Sequence, residues 1–219
     1  MKSEGVLKLL RLLGVLFLLF AANCAAQSTD AEDSTEDVPI MEIPIGNEEA
    51  SEDLEIYVSP SCLHCGRFLS EDVEEFLKKN TEAGTVLKFL PTSAKDIFIM
   101  KLIQNEAPER RQYFAIFKNY IKRALATIDR VEPTKEQVEN YRGSKTDPEM
   151  IKFQVVASEF GFSDKKIIAA FPNMKGKFEK QVMAEYKKKA KKVSKLLKSK
   201  ELDLPLIVRH GKVVKKLEE

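Results

Sequence analysis

Two cysteines three residues apart, with a histidine directly before the second, are the part of this sequence most able to do chemistry: Ser61-Cys62-Leu63-His64-Cys65-Gly66. A C-x-x-C pair at the start of a helix can close a disulfide across one turn. The helix dipole and its unpaired N–H groups favour a thiolate on the first cysteine. Cys62 is therefore the candidate nucleophile, and Cys65, one turn further in and more buried, the resolving thiol. His64 can offer a hydrogen bond or positive charge to the Cys62 sulfur, stabilising the reduced thiolate and making the disulfide more oxidising. Other readings of the pair are half of a zinc site, an inert structural disulfide, and chance. For zinc there is no second ligand pair, and the only other histidine, His210, falls in a predicted turn. As a staple, so short a loop removes little chain entropy.

The flanking pattern supplies the elements that must hold such a pair. Leu54-Glu55-Ile56-Tyr57-Val58 alternates and is stopped by Ser59-Pro60, which reads as a strand. From Cys62 to about Lys79, apolar residues at Phe68, Leu69, Val73, Phe76 and Leu77 have helical spacing, with a kink or restart near Gly66 and Ser70. Thr85 to Leu90 reads as a second strand. From Ser93 to about Ser199 helix follows helix: 94–105, 108–128, 134–141, 147–160, 163–171 and 175–198. Phe114, Phe117, Ile121 and Leu125 form one core face. Leu204 to Val208 is a strand entered through Pro205, and His210-Gly211 suits a two-residue hairpin turn. Upstream, Ile40, Met41, Ile43 and Ile45, broken by Pro39 and Pro44, read as a short edge strand. The order is strand, helix, strand, long helical block, strand, strand.

Composition fixes the setting. The chain has 219 residues with 36 Lys+Arg, 34 Asp+Glu and three cysteines. Cysteines are too few for a disulfide scaffold, and the charge is too balanced for a wholly basic nucleic-acid binder. Lys2, Lys8 and Arg11 precede the apolar run Leu12 to Ala22, with small residues to Gln27, the layout of a signal peptide over 1–26. The run is too short to span a bilayer. A lipid on Cys24 is the alternative, but Ala21-Ala22-Asn23 lacks the usual pattern for it. Cleavage after Ala26 removes three basic residues and one acidic, leaving 33 of each, and removes Cys24, leaving only the Cys62/Cys65 pair in an oxidising compartment. Gln27 to Glu55 holds eleven acids and no Lys or Arg; its first part, 27–40, reads as a solvated tail. Lys175 to Glu219 is the basic counterpart, with fifteen Lys+Arg against six Asp+Glu, read first as a solvated helix face.

The stretch from Ile45 to Ala50, then Leu54 to Phe68 through the CLHC motif, resembles the opening of DsbA-like thiol:disulfide oxidoreductases of bacterial envelopes. Val156 to Ser163 is similar to that family's helix-Gly-helix signature, and Leu204 to Lys212 to its proline loop and terminal hairpin. The resemblance covers roughly Ile43 to Lys216. It implies an α/β chain: a thioredoxin fold with an inserted all-helical domain, its N-terminal part 41–92, the insertion 93–175 and its C-terminal part 176–219. It implies that Pro205 is a cis-proline whose loop, with Leu204, lies against Cys62 and orients substrate. It also implies exported, reduced or unfolded substrate proteins, a membrane oxidase or reductase as redox partner, no metal or organic cofactor, and a periplasmic location. No nucleic acid is expected as a partner, and without a sustained heptad the chain reads as a monomer. Leu204 and Leu63 depart from the residues common at those positions, and little chain follows the hairpin for a C-terminal helix. Glu55 is a candidate for a buried acid assisting Cys65, with an outward-facing position as the alternative. Two rivals to the oxidase remain: an isomerase or reductase using the same site, and an envelope scaffold with a passive disulfide.

Overall fold

The computed structural model describes residues 38–47, 49–50, 52–107, 110–141, 147–198 and 203–216, all within the unit Val38–Glu219. The expected leader and most of the acidic tail lie outside the described residues. Among those described, no helix is long and apolar enough to cross a membrane.

Five strands form one sheet in the order β1-β3-β2-β4-β5: β1 (Glu42–Pro44), β2 (Glu52–Val58), β3 (Gly84–Phe89), β4 (Leu206–Arg209) and β5 (Lys212–Lys216). Parallel β2 and β3 need a crossover. It is supplied by the helix that begins at the cysteine pair, which runs as α1 (Leu63–Arg67), a π-helical turn (Phe68–Asp72) and α2 (Val73–Lys79). The π turn is the break expected near Gly66 and Ser70; Ser70 Oγ donates to the Arg67 carbonyl within it. Antiparallel β1 lies at the edge, where Pro44 is tolerated. The β4–β5 turn places His210 at φ 47° and Gly211 at φ 73°, the positive values a two-residue hairpin demands.

Between β3 and β4 stand the helical block and one long helix. The block comprises α3 (Ala94–Gln104), α4 (Arg110–Thr127) with a 3₁₀ turn (Ile128–Arg130), α5 (Lys135–Tyr141), α6 (Pro148–Phe160) and α7 (Asp164–Ala169). Phe89 of β3 meets the ring of Phe117 on α4 edge-on at 5.0 Å, joining the block to the sheet. Helix α8 (Lys177–Leu197) covers the other sheet face. There Tyr57, Leu90, Leu206 and Val208 pack with Val193, Tyr186 and Ala190. Strand β2 feeds both faces by alternation: Leu54, Ile56 and Val58 join the main core with Cys65 and Phe68, whereas Tyr57 joins the α8 layer.

Two expectations need correction. The solvated tail does not reach Ile40: the Ile40 N–H donates to Gln104 Oε1 at 2.9 Å, and Gln104 Nε2 donates to the Val38 carbonyl at 2.8 Å, tying these residues to α3. Nor is the lysine-rich helix only a solvated face. Lys189 is buried, its Nζ 2.8 Å from the Met41 carbonyl and 2.9 Å from Glu42.

Candidate active site

The strand-to-helix corner places the cysteine pair. After β2, the Cys62 N–H bonds the Ser59 carbonyl at 3.1 Å, closing a turn through Pro60 and Ser61. Cys62 then becomes the N-cap of α1, its sulfur accepting from the Cys65 N–H at 3.4 Å. Both thiols are free; Cys62 is half-buried and Cys65 fully buried. Gly66 lets α1 sit close to α4, since a Cβ there would lie 2.7 Å from Ile121 Cγ2 and 2.9 Å from Leu125 Cδ1. Pro60, Cys62 and Leu63 thereby border a shallow apolar cleft walled by Ile121, Leu125 and Phe153, and Leu63 stands 53 % exposed at its rim.

The two sulfurs are pushed in opposite directions. The Cys62 thiol is lowered to about 6: the hydrogen bond from the Cys65 side chain leads, the backbone N–H groups of Cys65 and His64 add to it, and together they outweigh burial. The positive charge of His64 contributes least of these, so the exposed histidine acts more through its backbone than its ring. Cys65 is raised far above its ordinary value, first by burial and then by its hydrogen bond to Cys62 and the Cys62 charge.

The structure places Leu204 and Pro205 beside Cys62. The bond between them is cis, and the Leu204 carbonyl oxygen is 3.9 Å from Cys62 Sγ. Pro205 is buried and Leu204 half-buried. Glu55 lies elsewhere. Its side chain turns to the α8 face, opposite Cys65, where Lys88, Lys192 and the Tyr57 hydroxyl bond it at 2.8, 2.8 and 2.7 Å. Burial alone would raise its carboxyl, but the bonds from Lys192, Lys88 and Tyr57 hold it at about 2. The reason is strand alternation, which sends residue 55 away from the face that takes Leu54 and Ile56.

The carboxylate that does reach the corner is Asp96, in the first turn of α3 and fully buried. One oxygen accepts from Ser59 Oγ (2.9 Å) and the Ser61 N–H (2.6 Å). The other accepts from the backbone N–H and hydroxyl of both Thr92 and Ser93. Asp96 thus ties the β2–α1 turn to the start of the helical block. Its signal in the sequence is a capping box, Ser93-Ala94-Lys95-Asp96, an acid three residues after an N-cap serine. Among the described residues no three His, Cys, Asp or Glu side chains converge as a metal site. An open groove of about 430 Å³ between α2 and the sheet, at Phe68, Phe76, Ile207 and Arg209, includes neither cysteine.

A thioredoxin family model matches residues 39–198, which take in strands β1 to β3, the whole helical block and α8. The chain belongs to the thioredoxin family. Among solved structures it is similar to a protein-disulfide isomerase from Novosphingobium aromaticivorans, at 14 % identity and a TM-score of 0.54, covering 81 % of this chain and 90 % of that one. It also matches alpha-DsbA1 from Wolbachia pipientis (13 %, TM-score 0.47, 77 % and 75 % covered). A third match is the thiol-disulfide oxidoreductase MdbA from Corynebacterium diphtheriae (19 %, TM-score 0.44, 78 % and 81 % covered). No curated protein sequence matches. The Novosphingobium likeness establishes the shared fold, a thioredoxin sheet with an inserted helical block.

Proposed function

We propose that the chain is an exported thiol:disulfide oxidoreductase that donates its Cys62–Cys65 disulfide to translocated proteins. The observation that carries this is the opposed pair of thiols, a half-buried one lowered to about 6 beside a fully buried one raised. A substrate thiolate attacks Cys62 Sγ; the Cys62–Cys65 bond breaks, and Cys65 leaves and takes up a proton. A second substrate thiolate then attacks the substrate sulfur of the mixed disulfide and expels Cys62 as a thiolate. The substrate gains one disulfide and loses two electrons, which rest on the enzyme's two sulfurs. Expulsion is favoured because the leaving thiol has a low pKa, and the same stability of the reduced form makes the disulfide oxidising.

The burden on Cys65 depends on the state of the site. Two of the effects that hold its proton, the hydrogen bond to Cys62 and the Cys62 charge, exist only while Cys62 is a thiolate. In the mixed disulfide both vanish, so Cys65 holds its proton less tightly there than in the fully reduced enzyme. Leu204 and Pro205 are the proposed backbone contact for substrate, and the cleft beside Cys62 receives an apolar side chain next to the reacting cysteine. No metal or organic cofactor enters these steps. Re-oxidation falls to a membrane oxidase, and the setting is the periplasm.

The same dithiol, kept reduced by a membrane reductase, attacks substrate disulfides instead; the Novosphingobium structure of this fold is a protein-disulfide isomerase. Thiol trapping in cells separates the two readings. A mostly oxidised pair is the oxidase result, and a mostly reduced pair is that of the isomerase or reductase.

A further inference from the structure

Helix α8 has two opposite faces. Phe178, Val182, Lys189 and Val193 are buried. At 100° per residue, Lys177, Lys180, Lys187, Lys188, Lys191 and Lys195 fall within roughly 100° of arc on the other side, and all six are exposed. They extend over about 27 Å at 1.5 Å per residue. No acid lies in that arc: the buried Glu179 and Glu185, whose carboxylate is 3.9 Å from Lys188, fall outside it on opposite flanks. Lys180, Lys187, Lys191 and Lys195 have no acidic partner among the described residues. Like charges at i, i+4, as at 187, 191 and 195, weaken a helix. The arrangement is therefore unfavourable without an anionic counterpart.

The shape and chemistry of the stripe restrict that counterpart. A single phosphate or carboxylate ligand needs donors that converge, whereas these ammonium groups stand in a row on a convex helix. Segment 177–198 contains no arginine, so the planar fork that reads phosphate or carboxylate bidentately is absent. The exposed stripe carries no aromatic ring for stacking on bases. A straight row of point charges facing one way suits a flat surface of many weak anionic sites, as in a bilayer rich in acidic headgroups. We propose that the α8 lysine stripe is a peripheral docking surface for an anionic lipid bilayer. The bond is electrostatic and reversible, with no insertion. It does not rest on the thiol chemistry of Cys62.

The test is sedimentation of the full chain with vesicles of phosphatidylglycerol and phosphatidylcholine, against pure phosphatidylcholine. The leader's apolar run acts on both vesicles and its Lys2, Lys8 and Arg11 on the anionic ones, equally in parent and variant, so the loss in a stripe variant reports the stripe. Binding should favour the anionic vesicles and fall steeply between low salt and about 0.5 M, where screening shortens to a few ångströms. Near such a surface each lysine is worth about fivefold. The triple variant Lys187→Glu, Lys191→Glu, Lys195→Glu should therefore lose at least about a hundredfold, with the Cys62 titration unchanged as a check that the fold persists. Equal binding to both vesicle types, or anionic binding that the triple variant retains, overturns the proposal. So does a stripe-dependent attachment to DNA or heparin without attachment to vesicles.

Discussion

Cys62 owes its lowered pKa more to Cys65 than to His64, and this ordering can be tested by substitution. Cys65→Ala removes the leading hydrogen bond and should raise the Cys62 pKa clearly above 6, whereas Cys65→Ser keeps a donor there and should restore much of the shift; thiolate absorbance against pH measures both. His64→Ala should raise the pKa by less than Cys65→Ala, and make the disulfide slightly less oxidising in a glutathione equilibrium. A larger effect for His64 would place its ring, not its backbone, at the centre of the site. Asp96 is the second residue with a large expected effect. Asp96→Ala leaves the Ser61 N–H, the Ser59 hydroxyl and the Thr92 and Ser93 donors without this acceptor and removes a helix cap. Together these cost about 3 kcal/mol or more in urea unfolding. Cys62 and Cys65 are legible as a candidate redox pair from their spacing and their place between a strand and a helix. The role of Asp96 is not, because its neighbours in space, residues 59 and 61, lie more than thirty positions away in the chain.

At the scale of elements, the docking of α1 on α4 is set by Gly66. Gly66→Ala puts a methyl into Ile121 and Leu125, side chains that can shift only within a packed core. The expected loss is about 1–3 kcal/mol, with a disturbed Cys62 titration because the whole corner moves. The α8 layer answers to pH. Glu55 has its carboxyl held at about 2 in the folded chain, below its unfolded value of about 4.3. A lowered carboxyl stabilises the fold above the unfolded value and loses that stabilisation as pH falls through the folded one. Glu55→Gln should therefore cost about 1–2 kcal/mol at pH 7, with the gap to the parent closing between about pH 4.5 and pH 2. The order of elements is readable from periodicity and from proline and glycine punctuation, including the break in the active-site helix. Which face of β2 Glu55 joins is not, since an alternating strand between two packed layers buries both faces and its pattern favours neither.

For the molecule as a whole, the thioredoxin sheet brings together three stretches far apart in sequence: the CLHC corner, the capping turn before α3 and the Leu204-Pro205 loop. The resemblance indicates two of these, the corner and the loop. The third depends on tertiary packing of the helical block, which a single sequence expresses only as a capping motif. Such an assembly should make one sulfur a stable thiolate while burying its partner. That is tested most directly by following thiolate absorbance of the reduced chain from Gln27 onward, which lacks Cys24, as pH is raised. One thiolate should appear with a midpoint near 6, and no second thiol should titrate below about pH 10. A first midpoint at or above about 8, near the value of a free cysteine, or two thiols ionising together, would contradict it.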